Sequence, residues 1–324
     1  MISKGVRLIV GVLLLCLCGS CSPASSSMLV TAGAPLNVDM IVKMKGGEYW
    51  NTIRMGAEVA AKEFNVHLTI KGPQSENDIK GQIRLMDESI QQKKDAIILS
   101  ASDYMQLAQV TDRADYYHIP VISMDAEVAS AKPLSYIGAN NYESGQLGAE
   151  RLVQLTGKSG EIAIINFVKG ARNADQRLEG MLDYIARYPQ LKVVDIQYCG
   201  SDEELAYREA MQMLKLHPQL KGIAALNAVA AVGAGRAIED TPDANVKVVT
   251  FDSLPDVMEM LQEGTVQATV IQNPFSNGYL AVKNAVEAAR GIQIPERVDT
   301  GTKLIDRSNM FWPENQKQMF PFVK

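Results

Sequence analysis

The chain has 324 residues, 47% of them hydrophobic, and carries a formal net charge of −5. That length predicts one large or two medium domains with a sizeable core, and the acidic balance excludes a nucleic-acid partner, which would want a basic face. Three histidines in separate elements and four cysteines, three of them before residue 22, argue against a metal centre, a disulfide framework or a cofactor-based redox site.

The first segment holds Lys4 and Arg7, an apolar run from Leu8 to Cys18, and then "GSC", the charge, core and small-residue order of an export signal. The run is too short for a permanent membrane span. Gly19 and Ser20 directly before Cys21 resemble the lipobox of bacterial lipoproteins, which implies removal of residues 1–20 and lipidation of Cys21 with palmitate-type chains. A plain signal peptide cut near Ala24 or Ala34 is the alternative. With the signal gone, Cys199 is the only thiol left to the folded domain besides the lipidated one, and residues 21–35, "CSPASSSMLVTAGAP", read as a flexible tether.

From Leu36 onward, short β-branched runs alternate with helical-period segments. Strands are expected at 38–43, 66–71, 95–100, 120–125, 161–166, 192–197, 222–226, 246–252 and 266–272. These runs lack strict alternation, as strands buried on both faces do. In the first helix Ile53, Ala57, Ala60 and Phe64 line one face. Further helices are expected at about 76–93, 104–117, 142–157, 173–188, 203–216, 228–240, 254–263 and 276–290. Strand-helix alternation predicts an α/β fold with doubly wound parallel sheets, and so many units predict two lobes.

Open parallel sheets bind ligands beyond the carboxyl ends of their strands. Those ends are Lys43 to Trp50, Ala101 to Tyr104, Asp125, Asn166 to Arg177, Asn227, Asp252 and Gln272. Gly46-Gly47, with the next glycine at Gly56, satisfies neither a dinucleotide nor a phosphate loop. Tyr49 and Trp50 are either core aromatics or flat faces for the apolar side of a sugar. No nucleophile elbow, H-E-x-x-H or S-x-x-K occurs. Asp125 and Asp252 leave a paired-carboxylate hydrolase open on spacing, but they serve equally as acceptors for sugar hydroxyls or as helix N-caps. With no His or Cys beside them, binding is the reading adopted and an enzyme is not expected.

In order along the chain, "IPVISMDA", "YIGANNYESG", "ADQRLEG", "ALNAVAAVG", "VVTFDSLPD" and "TVIQNP" resemble the ribose-type periplasmic binding proteins of ABC importers, over Leu36 to about Ser308. The resemblance implies the periplasmic binding protein type I fold: two doubly wound lobes joined by a three-strand hinge, closing on a small carbohydrate-like ligand. It implies crossings near Ala139/Asn140, Gln272/Asn273 and Thr302/Lys303, hence lobe one as 36–139 plus 273–302 and lobe two as 140–272 plus 303–324. It implies that Tyr49 and Trp50 stack on the sugar and that Asp125 accepts its hydroxyls. Arg177 would donate to sugar oxygens, with Asn227, Asp252 and Gln272 completing the polar set. No cofactor is implied. The implied partners are a membrane ABC permease or, in the alternative reading, a sensor kinase or chemoreceptor. A monomer held to the membrane only by its lipid is expected.

Departures from the ribose pattern are Ala126, Ala228, Ser201 where an aromatic is usual, and Lys43 where the strand ends in Ser. Lys43, with Asp175-Gln176, resembles autoinducer-2 receptors instead. Lys43, Lys45, Lys169, Arg172 and Arg177 together leave an acidic or phosphorylated sugar as a third reading. The last segment, "NMFWPENQKQMFPFVK", is longer than the pattern and is expected to append to lobe two.

Overall fold

The computed structural model describes residues 34–319. The expected signal segment, Cys21 and most of the tether therefore lie outside the described residues, as do residues 320–324.

Twelve strands and ten helices are found among the described residues. Sheet one has the order β2 (Val66–Lys71), β1 (Leu36–Ile41), β3 (Ala96–Leu99), β4 (Val121–Met124), β5 (Ser135–Gly138) and β11 (Arg297–Asp299), all parallel. Sheet two repeats that order as β7 (Leu191–Tyr198), β6 (Gly160–Asn166), β8 (Leu220–Ala225), β9 (Lys247–Phe251), β10 (Ala268–Ile271) and β12 (Lys303–Ile305). Only β12 runs antiparallel, against β10. Central strands β3, β4, β8, β9 and β10 are buried almost throughout, which explains why their sequences read as unbroken apolar runs.

The 2-1-3-4-5 order places a topological switch beside β1 in sheet one and beside β6 in sheet two, where the chain leaves in opposite directions and a crevice opens at the carboxyl ends. Three passages join the sheets. The chain leaves β5 at Gly138 and enters α4 (Asn141–Leu155) against sheet two, then leaves β10 at Ile271 and enters α9 (Pro274–Ala289) against sheet one. The last passage links β11 to β12.

Two helix pairs pack unusually closely, and small residues are the cause. α1 (Glu48–Glu63) meets α9 where Gly56 faces the Phe275 carbonyl and Gly278 faces the Ile53 carbonyl. α4 meets α5 (Arg172–Ile185) where Gly145 faces the Arg177 carbonyl and Gly180 faces that of Tyr142. A β-carbon at any of the four would collide with backbone, so contact at this distance requires glycine.

The nine expected strands are all present, within a few residues. β5, β11 and β12 were not expected as strands: β11 and β12 have three residues each, too few to show a period, and β5, SYIG, is not an apolar β-branched run like the other four-residue strands. Nor was the last helix, α10 (Pro313–Met319). It seats Met319, together with Met310, in the core of sheet two, leaving Phe311 and Trp312 exposed.

Candidate functional site

A cavity of about 210 Å³ opens between the facing carboxyl ends of the two sheets. It is smaller than the roughly 300–1,000 Å³ usual for drug-sized ligands, so it suits one small ring and not an oligomer. Its walls include Lys43, Tyr49, Trp50 and Asp125 from the sheet-one side, and Arg177, Asn227, Asp252 and Gln272 from the sheet-two side.

Asp125 is the hub on the first side. It ends β4 at φ 64, a left-handed conformation that Asp tolerates better than most residues. Its carboxylate accepts from Tyr49 Oη at 2.6 Å, Ser100 Oγ at 3.1 Å and Asn173 Nδ2 at 3.2 Å. Lys43 Nζ lies 3.8 Å away and donates to Asn173 Oδ1 at 2.7 Å. Burial pulls the Lys43 ammonium below its ordinary lysine range, against the opposing pull of Asp125. Burial, reinforced by Asp125, pushes the Tyr49 phenol well above its own.

Asp252 is the counterpart on the second side, at φ 71 after β9. It accepts from Gln272 Nε2 at 2.6 Å and from the Ala228 backbone N–H at 2.9 Å. Burial raises its carboxyl above the usual range, and Arg177 opposes that. Neither aspartate sits at the N-cap of the helix that follows it: Asn140 caps α4, and Leu254 occupies the N-cap position of α8 (Pro255–Glu263) without a side-chain cap bond. Asn227 does cap α7 (Ala228–Glu239), accepting from Ala230 N, yet it also lines the cavity and donates to Ser201 Oγ at 3.1 Å.

Arg177 is 2% exposed. Its guanidinium lies between the Phe167 and Phe251 rings, at 5.6 and 5.1 Å from their centroids. Nε donates to Asn141 Oδ1 at 2.9 Å, and a terminal nitrogen donates to the Leu226 carbonyl at 2.7 Å. The glycine contacts of α4 and α5 bring Asn141 within reach of it. Tyr136 Oη, which donates to the Asp125 carbonyl at 3.1 Å, accepts from Asn141 Nδ2 at 3.3 Å. A polar chain therefore runs from Asp125 through the first inter-sheet passage to Arg177.

Eight of the nine candidate residues line this cavity, and Asp175 does not. One helical turn puts Asn173 and Arg177 on the same face of α5, and Asp175 between them points elsewhere, where burial raises its carboxyl against the Gly170 N–H and Arg172. Lys45, Lys169 and Arg172 are also outside the lining. Trp50 and Tyr49 meet edge to face at 5.3 Å. The aromatic wall from sheet two is Phe167, at the end of β6, and not a residue near Ser201.

Sequence reading missed Asn173, Phe167 and Glu76 as individual residues. Glu76 follows β2 and is 6% exposed, accepting from Trp50 Nε1 at 3.0 Å and from Ser201 Oγ at 2.9 Å. The survey of strand ends left out β2 and β7, the strands before Glu76 and Ser201, and the same rule applied there finds both.

The sheets also touch at the cavity rim. Tyr104 N donates to the Gly170 carbonyl at 2.8 Å, Asn77 Nδ2 to that of Gly200 at 3.2 Å, and Gln176 Nε2 to Glu127 at 3.2 Å. Cys199 is buried and its thiol pushed up to about 11, mainly by desolvation, so it offers no reactive thiolate.

A family profile described as a periplasmic binding protein domain matches residues 38–293. The chain belongs to this family. Periplasmic binding proteins work outside the cytoplasm and bind solutes without transforming them, in agreement with the non-enzymatic reading of the sequence. The D-ribose/D-allose-binding protein of Pseudomonas aeruginosa is 28% identical over 304 residues, covering 91% of this chain and 94% of that protein. The D-apiose import binding protein of Paraburkholderia graminis is 32% identical over 215 residues, with 66% and 68% covered. Among solved structures, a carbohydrate transporter solute binding protein from Agrobacterium radiobacter in complex with D-arabinose superposes with a TM-score of 0.86 at 29% identity, covering 88% of this chain and 99% of that one. The two-lobed type I fold expected from sequence is thus the observed one.

Proposed function

We propose that this periplasmic binding protein captures one monosaccharide between its lobes and hands it to an ABC permease. The observation that carries this reading is the cavity itself. Its volume fits one ring, and carboxylates, amides and a guanidinium line it alongside the aromatic side chains of Tyr49, Trp50 and Phe167. Carboxylates and amides accept from hydroxyls, Arg donates in a fork, and aromatic rings cover the apolar face of a sugar.

The lobes are taken as 36–139 plus 273–302 and 140–272 plus 303–324, hinged where the chain passes between sheets. Because each lobe supplies part of the site, ligand favours the closed arrangement by its differential affinity for it. The permease reads the paired lobe faces that closure creates. Cleavage before Cys21 and lipidation there would hold a monomer at the membrane; the sequence "CGSC" supports this.

The autoinducer-2 reading loses one of its supports, since the Asp175-Gln176 pair does not line the cavity. The test is a melting-shift screen of D-ribose, D-allose, D-apiose, D-arabinose and autoinducer-2. A ligand at one hundred times its Kd stabilises by about 2.7 kcal/mol. Stabilisation by autoinducer-2 alone, or by none of the five, would overturn the proposal.

A further inference from the structure

The cavity is acidic on balance. Glu48, Glu76, Asp125, Glu203 and Asp252 line it, against Lys43 and Arg177. Both cations also hold protein groups, Lys43 holding Asn173 and Asp125, and Arg177 holding Asn141 and the Leu226 carbonyl, and each keeps N–H donors for a ligand oxygen. Glu48 and Glu203 are exposed at the mouth, where Glu48 repels an approaching anion; Glu203 is paired with Arg236 at 2.7 Å. Asp125 and Asp252 belong to the sugar-binding set that the sequence resemblance implies. Glu76 does not, and it is the third buried carboxylate on the wall.

Its setting is unusual. One oxygen accepts from Trp50 Nε1 on its own side and the other from Ser201 Oγ on the opposite side, and Ser201 is held in turn by Asn227 Nδ2. A carboxylate offers about four lone-pair sites, so acceptor capacity remains on both oxygens beside the Trp50 ring. The position near Ser201 is also where an aromatic would be usual, so this end of the cavity is polar and accepting where stacking would be expected.

We propose that Glu76 is a specificity-determining ligand residue: set between Trp50 and Ser201 on the cavity wall, its carboxylate takes a proton donor of the ligand, a hydroxyl or an ammonium, and excludes a carboxylate or phosphate from that end. This rests on the monosaccharide reading above and deepens it. It also weighs against the acidic or phosphorylated sugar, since Lys45, Lys169 and Arg172 lie outside the lining and five carboxylates face the two lining cations. Because Ser201 sits across the cleft, the subsite is complete only when the lobes meet, so selection and closure act through one carboxylate.

Isothermal titration would compare neutral D-ribose, D-allose and D-arabinose with D-glucosamine and D-galactosamine, and with D-glucuronate and D-galacturonate. The wild-type protein should prefer its tightest neutral or amino probe over either uronate by roughly 100-fold, as an unpaired like-charge contact demands. Glu76→Gln should weaken that probe by roughly tenfold and shrink its preference over uronates by a similar factor. A larger loss for the amino probes identifies the donor as an ammonium, and an equal loss identifies a hydroxyl. Ser201→Ala keeps the carboxylate and breaks the bridge, so it should weaken all probes while leaving the ratio intact. A uronate among the tightest wild-type ligands would overturn the proposal. So would no loss in Glu76→Gln, or a loss as large for the uronates as for the neutral and amino probes, which would make the carboxylate a structural clasp. Failure of every sugar to bind would instead bring down the monosaccharide reading and this inference with it.

Discussion

Replacing Asp125 separates three roles of one residue, because its partners and its backbone respond to different substitutions. Asp125→Asn keeps a side chain that tolerates φ 64 and keeps one carbonyl oxygen for Tyr49. The other oxygen becomes an NH2 group, which now faces the Asn173 amide and the Lys43 ammonium, both donors. Each buried donor left without an acceptor costs about 1–3 kcal/mol, and breaking a buried pair by removing one partner costs about 3–5 kcal/mol. Together these come to roughly 4–8 kcal/mol, and the low end applies, because Ser100 can reverse its hydroxyl to accept and Lys43 keeps its bond to Asn173. Asp125→Ala removes the steric conflict but puts a β-carbon with no hydrogen-bonding side chain into the left-handed region, at roughly 1–2 kcal/mol. Both variants should therefore be destabilised, Asn by donor conflict and Ala by strain and orphaned donors. Urea unfolding with an unchanged m-value measures this. In both, the tightest sugar should also lose about 10- to 100-fold in affinity. An Asp125→Asn protein within about 0.5 kcal/mol of wild type would refute the network as drawn.

Lys43 supplies a pH signature. Its folded pKa is below the ordinary 10.5, so between the two values the unfolded chain binds more protons and stability rises with pH. The Lys43→Met variant should lose that rise, seen as a flatter stability profile on the alkaline side below pH 10, where tyrosines begin to titrate; an unchanged profile would refute the burial argument. At the rim, Gly170 adopts φ +88 and a β-carbon there would press on Asp103 Oδ2 at 2.9 Å. Gly170→Ala should strain the strap to Tyr104 and speed ligand release by about fivefold, roughly 1 kcal/mol, in stopped-flow measurements. Gly180→Ala should push α5 off α4 and lower the melting temperature by about 5–10 °C, read by circular dichroism; a shift of under one degree would show that the helices can part freely.

The repeating strand-helix order was legible because burial on both faces erases alternation, and the central strands of both sheets are buried in this way. Short edge strands were not, since β11 and β12 have three residues each and take their form from the neighbour they pair with. The strand-end rule found Lys43, Asp125, Asn227, Asp252 and Gln272 because a parallel sheet aims every carboxyl end at one crevice. It failed between Asp175 and Asn173, where helix phase and not strand position decides which side chain faces inward. The Arg177 environment was likewise out of reach, because Asn141, Phe251 and the Leu226 carbonyl come from three separate elements.

The return of α9 and β11 to sheet one has a consequence for how the chain reaches its native form. As synthesis proceeds from the amino end, β6 to β10 emerge as one uninterrupted run, whereas sheet one still lacks its edge strand and the helix that fills the groove at Gly56. Both halves wait for a late edge strand, β11 and then β12, but sheet one also waits for a whole helix, and closing it requires contacts spanning more than two hundred residues, such as that between Glu63 and Tyr279. Such long loops make assembly slow. Until residues 274–299 arrive, the apolar faces of α1 and β5 stand uncovered, which makes this half the more aggregation-prone of the two during biogenesis.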